Sequence, residues 1–263
     1  MKAWIKNTLW FVSFILLIVL MSFIDSTQDE KVVGLPTVNI DFFEDMKFLS
    51  EEDILERLGD KGLVSEDKKY SEVNMHKIEA FLKEMPEVKK VEVFAHLGGD
   101  WVVNLSLRQP VARIFNIDGS SCYLDMEGTL MPLSNKYTAH VITVTGNINE
   151  TDFSKDVNEI MNNDSLKTIE ILDDLYRISA YVCSDEFLSA QFTQIYINTH
   201  NEFELVPRVG DHRILFGNAD NVAGKFKKLE LFYQEGISRA GWENYDTINV
   251  MYKSQIVCSR KKK

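Results

Sequence analysis

The chain has 263 residues, of which 45% are hydrophobic and 26% are charged, a balance typical of a globular protein that buries a core. Its 29 basic and 40 acidic residues give a net charge of −11. This argues against a nucleic-acid-binding protein, because such proteins neutralise phosphates with Lys and Arg. The length leaves room for one large or two small folded units, and we expect two.

The first predicted element is a membrane-spanning helix. Residues 9–24 carry no charge, and a helix from Trp4 to Ile24 would be roughly 31 Å long at about 1.5 Å per residue, enough to cross a bilayer. Basic residues precede this stretch and acidic residues follow it, so the positive-inside rule predicts a cytoplasmic N-terminus. A cleaved signal peptide is the alternative, but residues 22–25 lack the small residues of a cleavage site.

A strand and a helix are predicted after a polar linker of residues 26–36. Apolar and polar residues alternate over residues 38–42, the pattern of a strand with one buried face. Ser50 and Asp53 have the spacing of a capping box, which indicates the start of a helix. Gly59 is expected to end it.

A second helix and a hairpin complete the first unit. Asn74 can cap this helix and Pro86 terminates it. Its apolar stripe has helical spacing and consists of Ile78, Phe81, Leu82 and Met85. Apolar residues then alternate over residues 91–95 and 101–107, on either side of Gly98-Gly99, which predicts a β-hairpin. The predicted order is therefore β-α-α-β-β.

Short strands and glycine turns are predicted beyond Arg108, which indicates a second domain. The strands are predicted over residues 111–116, 122–125, 141–144, 195–197 and 203–206. Two helical stripes consist of Leu166, Ile169, Leu172 and Tyr176, and of Phe226, Leu229 and Tyr233. The last predicted element is a strand in which Ile248, Val250 and Tyr252 alternate with polar or flexible residues. It is expected to continue through Ile256 and Val257 to a basic end.

Sequence patterns of a metal, nucleotide or nucleophile site are missing. The cysteines, at 122, 183 and 258, suit neither a disulfide framework nor a metal site, although one pair could bridge in an oxidising compartment. The five histidines, at 76, 96, 140, 200 and 212, show no ligand spacing and are expected at the surface. Carboxylate pairs such as Asp125 with Glu127 could in principle act as acid and base on a sugar. Such pairs are inevitable among 40 acidic residues, so they do not indicate an active site. We therefore predict no catalytic residue, no metal and no cofactor.

The order of these elements resembles that of the FtsQ/DivIB family of bacterial cell-division proteins. Two motifs resemble the family's POTRA domain: FLSEEDILERLG at 48–59 is similar to its first helix, and PEV at 86–88 with VEV at 91–93 is similar to the step from its second helix into the hairpin. Two more follow at the start of the second domain: RQPVARI at 108–114 is similar to the segment that joins POTRA to the β-domain, and YLDMEGTLMPL at 123–133 is similar to the next hairpin. At the end of the chain, KFKKLELFYQ at 225–234 and INVMY at 248–252 are similar to the family's last helix and strand. Residues 146–190 carry no matching motif.

The resemblance implies an α+β fold with an N-terminal transmembrane helix, a POTRA-like β-α-α-β-β domain and a mixed β-domain that ends in a helix and a strand. The expected boundaries are a cytoplasmic tail at 1–7, the transmembrane helix at 8–25, the linker at 26–36, the POTRA-like domain at 37–107, the β-domain at 108–259 and a basic tail at 260–263. The chain would cross the inner membrane once, with its bulk in the periplasm.

The resemblance also implies a non-enzymatic scaffold of the division septum. Its terminal strand would bind FtsB and FtsL by adding a partner strand to a sheet edge, and other division proteins could bind the POTRA-like domain. The implied partner-binding residues are Ile248, Val250, Tyr252, Ser254, Gln255 and Ile256, and the implied domain-junction residues are Arg108, Gln109 and Pro110. Gln255 stands where the family has a small residue, and basic residues replace an aromatic near Arg260.

Two alternatives to the scaffold stay open. A type II membrane-anchored enzyme, such as a glycosyltransferase, is suggested by glycosylation sequons at Asn104, Asn149 and Asn163, but the chain has no D-x-D motif to hold a metal and a nucleotide sugar. A POTRA-type transport chaperone would bind unfolded envelope proteins at the sheet edge of the first domain. That alternative leaves the second domain unexplained.

Overall fold

Residues 4, 8–19, 31–42, 48–96, 100–150, 171–237 and 241–261 are described by a computed structural model. Residues 8–19 are helical. Among the described residues, no helix combines the length and apolarity needed to span a bilayer. The predicted turn at Gly98-Gly99 and the stripe residues Leu166 and Ile169 lie outside the described residues. The chain divides into two compact units, residues 1–107 and 108–263.

The first unit has the predicted β-α-α-β-β order. Its elements are β1 (Thr37–Asp41), α1 (Glu51–Asp60), a 3-10 turn (Tyr70–Glu72), α2 (Met75–Lys83), β2 (Val88–Ala95) and β3 (Trp101–Leu107). Strand β3 is central, parallel to β1 and antiparallel to β2. Its residues alternate between fully and half-buried, as predicted for a strand with one face on a core. The predicted order of elements in this unit is confirmed.

The start of helix α1 has the predicted capping contacts, whereas its end differs from the prediction. The side chain of Ser50 accepts a hydrogen bond from the Asp53 N–H, and Asp53 Oδ2 accepts one from the Ser50 N–H at 2.9 Å, which completes the predicted capping box. Helix α1 nevertheless continues through Gly59 to its last residue, Asp60. The turn instead depends on Gly62, whose φ of +65° suits glycine, so the predicted helix end was too early.

The second half of the predicted linker is bonded to the first unit. The Val33 N–H donates to the Lys68 carbonyl at 3.1 Å. The indole Nε1–H of Trp101 donates to the Gly34 carbonyl at 3.2 Å. The chain from Val33 onward is therefore held by the folded unit, whereas residues 26–30 of the expected linker lie outside the described residues.

The second unit is a mixed sheet covered by helices. Its elements are β4 (Pro110–Phe115), β5 (Ser121–Asp125), β6 (Leu130–Met131), β7 (Ile142–Gly146), α3 (Ile171–Cys183), α4 (Glu186–Gln191), β8 (Phe192–Ile197), β9 (Phe203–Pro207), β10 (Arg213–Gly217), α5 (Val222–Leu231), a π-helical segment (Phe232–Ile237), a 3-10 turn (Trp242–Asn244), β11 (Tyr245–Asn249) and β12 (Val257–Arg260). Among the described residues the strands form one nine-stranded sheet in the order β12-β11-β10-β9-β8-β7-β4-β5-β6.

The core of the second unit lies between this sheet and helices α3, α4 and α5, which contribute buried residues to one apolar cluster. Strands β4, β5, β7, β8 and β9 confirm the predicted strands. Strand β6 falls within the hairpin that the resemblance implied for residues 123–133, and Val257, the first residue of β12, falls within the predicted terminal strand. Strand β10 and helix α4 were not predicted. Strand β11 pairs in parallel with β10 on one side and antiparallel with β12 on the other.

The prediction of one continuous terminal strand is wrong. Strand β11 ends at Asn249, and residues 250–256 form a connection, here called the 250–256 turn, that leads into β12. Asn249 Oδ1 accepts a hydrogen bond from the Met251 N–H at 2.9 Å, an Asx-type bond that favours a turn. The Val250 N–H donates to the Leu215 carbonyl at 3.1 Å. The bond to Leu215 still follows the pairing of β11 with β10, and the Asx-type bond then turns the chain where the alternation of apolar residues indicated more strand.

Part of the predicted basic tail is ordered in the sheet. Arg260 belongs to β12, where it lies opposite Tyr245. The Lys261 N–H donates to the Asn244 carbonyl at 3.1 Å, and its Nζ lies 3.0 Å from a carboxylate oxygen of Asp211. The ordered sheet therefore includes Arg260, the first residue of the predicted basic tail of residues 260–263.

Candidate interaction surface

Strand β12 lies at one end of the nine-stranded sheet. One side of its backbone pairs with β11, and no described residue pairs with its other side. The side chain of Val257, its first residue, is 42% exposed. An edge strand of this kind presents unpaired N–H and C=O groups that a further strand can use. The strand at the opposite end, β6, has two residues and both are buried.

The structure separates the residues that were expected to bind a partner. Ile248 lies in β11 between two neighbouring strands and is fully buried, as is Val250. Neither side chain faces solvent in the chain alone, and the expectation that both contact a partner stays a prediction. Tyr252 lies in the 250–256 turn and not in a strand, with its side chain 51% exposed.

The other three expected residues meet at an apolar groove just before β12. This groove has a volume of about 380 Å³ and is lined by Lys228, Leu231, Phe232, Glu235, Gly236, Ser254, Gln255 and Ile256. Leu231 is exposed there, whereas Ile256 also packs partly against the core. The groove and the open edge are consecutive along the chain, because Val257 directly follows Ile256. Sequence reasoning missed Val257 as a surface residue and Leu231 as a groove residue.

A second cavity, of about 490 Å³, lies on the other side of Lys228 and has a more polar lining. It is formed by Glu202, Gly217, Asn218, Asp220, Asn221, Lys225, Lys228, Met251, Tyr252 and Lys253. Lys225 is buried and donates to the carbonyl oxygens of Phe216 and Asn218 at 3.0 and 2.8 Å. Burial lowers the pKa of Lys225.

The expected domain-junction residues bond within the second unit. Arg108 Nη1 donates to Asp125 Oδ2 at 2.9 Å, and this carboxylate is fully buried. The Gln109 carbonyl accepts a hydrogen bond from the Met126 N–H at 2.8 Å, and Pro110 opens β4 opposite Asp125. Burial raises the pKa of Asp125, against the opposing effects of its hydrogen bonds from the Thr129 N–H and Arg108. These three residues therefore hold the β5–β6 hairpin against β4.

His212 was expected at the surface but is 1% exposed. Its Nε2 lies 3.1 Å from Tyr233 Oη, and its ring centroid lies 5.8 Å from that of Tyr233 and 6.1 Å from that of Trp242. Burial, and then the nearby Lys261, lower the pKa of His212. The histidine is thus held neutral in an aromatic cluster beside the end of β12.

We expect the second unit to lose stability in mild acid through His212. Because its folded-state pKa lies below the ordinary 6.5, the unfolded chain binds the proton first. The His212 contribution is therefore constant above about pH 6.5 and turns unfavourable as the pH falls toward the folded-state pKa. Melting temperatures at about pH 7.5 and about pH 5.5 should diverge less for His212→Gln than for the unchanged chain. The exposed His200, changed to Gln, should leave the divergence intact; an equal reduction would refute the assignment to His212.

Cys122, Cys183 and Cys258 all lie in described parts of the chain, and no disulfide joins any two of them. Burial raises the pKa of the Cys122 thiol to about 11, which keeps it protonated near neutral pH. No group of His, Cys, Asp and Glu residues within the described ranges is arranged to hold a metal ion.

Comparison with known proteins supports the same two-part organisation. A family model for a POTRA-like domain matches residues 37–106. A model described as FtsQ/DivIB, C-terminal related, matches residues 109–259, more than half of the chain. A search of curated proteins gives no match.

The fold and the surface define a class of mixed α+β proteins in which a POTRA-like domain precedes a sheet-rich domain with an open edge strand. The chain belongs to the FtsQ/DivIB family, a family of non-enzymatic, division-associated membrane proteins. The family assignment made from the sequence motifs is confirmed.

Proposed function

We propose that the chain is a membrane-anchored scaffold of the division septum that binds a partner of the FtsB or FtsL type along β12. The open edge of β12 carries this proposal. A partner strand would accept and donate backbone hydrogen bonds there and extend the nine-stranded sheet, while its alternate side chains would give specificity. The site performs no chemistry, since its function is to hold two chains together.

The groove before β12 supports this site. A strand that pairs with Val257 and continues past it reaches the apolar wall formed by Leu231 and Ile256. An apolar partner side chain seated there would be removed from water, at about 25 cal/mol per Å² of buried apolar surface. Tyr252 presents an exposed aromatic ring on the same turn, a residue type that is enriched at the centre of interfaces. The proposed contact residues are thus Tyr252, the groove and the edge strand.

The N-terminal segment would tether this surface to the inner membrane. Residues 9–24 are free of charge, and residues 8–19 are helical. With the basic residues Lys2 and Lys6 on the cytoplasmic side, the folded units would lie in the periplasm. In the first unit, β1 and β2 are the outer strands of the sheet, and other division proteins would bind there.

The proposal predicts that Val257→Asp weakens binding of the periplasmic segment of the partner by at least about tenfold, because the exposed apolar contact is replaced by a charge that must be desolvated. Val209 is the matched control: it lies in the same unit and is 49% exposed, compared with 42% for Val257. Val209→Asp should bind the partner normally. Affinities measured by calorimetry test this, and equal affinities for both variants would exclude β12 as the binding site.

A further inference from the structure

We infer that Lys228 is a positioning residue that holds the 250–256 turn in place, so that the groove and the edge of β12 form one continuous docking surface. The contacts of Lys228 support its role in holding the turn, whereas its effect on partner binding rests on the proposed function. The family matches and the sequence motifs do not single out this lysine.

The parallel arrangement of β10 and β11 creates the need for such a residue. Leu215 lies opposite Asn249, so the carboxyl ends of both strands lie side by side and both chains leave the sheet there. Carbonyl groups that leave a sheet lose their ladder partners and need other donors. Helix α5 supplies two ammonium groups, from Lys225 and Lys228, which are three positions apart and so project from the same helix face.

Each of these lysines serves one of the two strand ends. Lys225 Nζ binds the chain that leaves β10, through the carbonyls of Phe216 and Asn218. Lys228 Nζ binds the chain that leaves β11: it donates to the Val250 carbonyl at 3.0 Å and to the Tyr252 carbonyl. Hydrogen bonds from an ammonium group are stronger than those between neutral groups. Helix α5 is thereby joined to both exits from the sheet.

The bonds of Lys228 differ in kind from the local bond that starts the turn. The bond between Asn249 and Met251 shapes the first residues of the turn but joins it to no other element. Lys228 joins the turn to α5, the helix that also carries Leu231 on the opposite wall of the groove. Lys228 therefore links the two walls of the groove directly.

The half-buried position of Lys228 indicates that it holds the turn and does not support the core. Lys228 lines the apolar groove and also the polar cavity, and its side chain is half-buried. Lys225, by contrast, is buried against the ring of Phe216, with Nζ 4.9 Å from the ring centroid. Loss of the Lys228 ammonium should release the turn without opening the core, whereas loss of Lys225 should destabilise the whole unit.

The test compares Lys228→Met with Lys227→Met, because Lys227 is the exposed neighbour on the same helix. In Lys228→Met we expect faster hydrogen exchange at residues 250–257 and about tenfold weaker binding of the partner's periplasmic segment. The melting temperature should stay within a few degrees of that of Lys227→Met. Lys228→Arg keeps a cation with several donors and should restore most of the affinity.

Unchanged exchange at residues 250–257 in Lys228→Met would overturn the inference, as would affinity equal to that of Lys227→Met. Faster exchange throughout the second unit would overturn it too, because it would assign Lys228 to the core. If the unchanged chain fails to bind the partner, the proposed function fails, and the exchange data alone decide whether Lys228 holds the turn.

Discussion

Asp125→Ala is expected to lower the free energy of unfolding of the second unit by about 3–5 kcal/mol, the usual cost of removing one partner from a buried ion pair. The carboxylate is fully buried and accepts hydrogen bonds from Arg108 Nη1 at 2.9 Å and from the Thr129 and Glu127 N–H groups at 2.6 and 3.0 Å. Without it, two backbone donors lose their acceptor, and the largely buried guanidinium loses its counter-ion and keeps a hydrogen bond to Thr129 Oγ1 at 3.2 Å.

The β4–β5 hairpin offers a matched control for this change. Asp118 also accepts a hydrogen bond from a backbone N–H, that of Ser120, but its side chain lies at the surface. Asp118→Ala should therefore have a much smaller effect on stability. Urea denaturation, followed through the NMR resonances of the second unit, measures its free energy of unfolding in both variants. Comparable losses for the two would show that the buried pair with Arg108 is not what holds the β5–β6 hairpin against β4.

Two adjacent proline substitutions in β12 are expected to have opposite effects. Successive N–H groups of a strand point to opposite sides, so of Cys258 and Ser259 one directs its N–H toward β11 and the other toward the open edge. Proline removes the N–H at its own position. One variant should therefore lose a bond to β11 and be destabilised, while the other keeps its stability and loses a bond to the partner strand.

Each proline variant thus serves as the control of the other. The variant with normal stability should bind the partner at least about tenfold more weakly, by loss of one donor and by the poor fit of the proline ring against a paired strand. Thermal melts and calorimetric titrations of both variants give the comparison. Normal affinity in the stable variant would mean that no strand adds to this edge.

Local chemistry accounts for most of what the sequence alone predicted correctly. The capping box at Ser50 and Asp53 depends on neighbours three residues apart, and the alternation along β3 depends on one buried face. Both signals are contained in short stretches of chain. The order of elements and the FtsQ/DivIB membership could therefore be predicted before any contact was known.

The terminal strands could not be predicted in this way, for two physical reasons. Val250 continues the alternation that Ile248 begins, yet it is buried outside the strand, and the Asx-type bond of Asn249 turns the chain. Strand β12 is mostly exposed, so it has no apolar alternation to detect. Its pairing with β11 is a tertiary contact, and edge position is a property of the whole sheet.

Long-range packing also explains why the burial of His212 and the role of Lys228 could not be predicted from the sequence. His212 is buried because Tyr233 and Trp242, from other parts of the chain, pack around it. Lys228 looks like any surface lysine of a helix until the strand ends beneath it are known. Burial and positioning at this surface depend on long-range packing, which residue spacing does not encode.

Hydrogen exchange of the backbone amides, with and without the periplasmic segment of an FtsB-type partner, tests the central claim most directly. Strand pairing at the open edge should slow exchange at the outward-facing amides of residues 257–260, and leave the already paired amides of β9 unchanged. Protection confined to β1 or β2 of the first unit, with none in β12, would contradict the assignment of the binding edge.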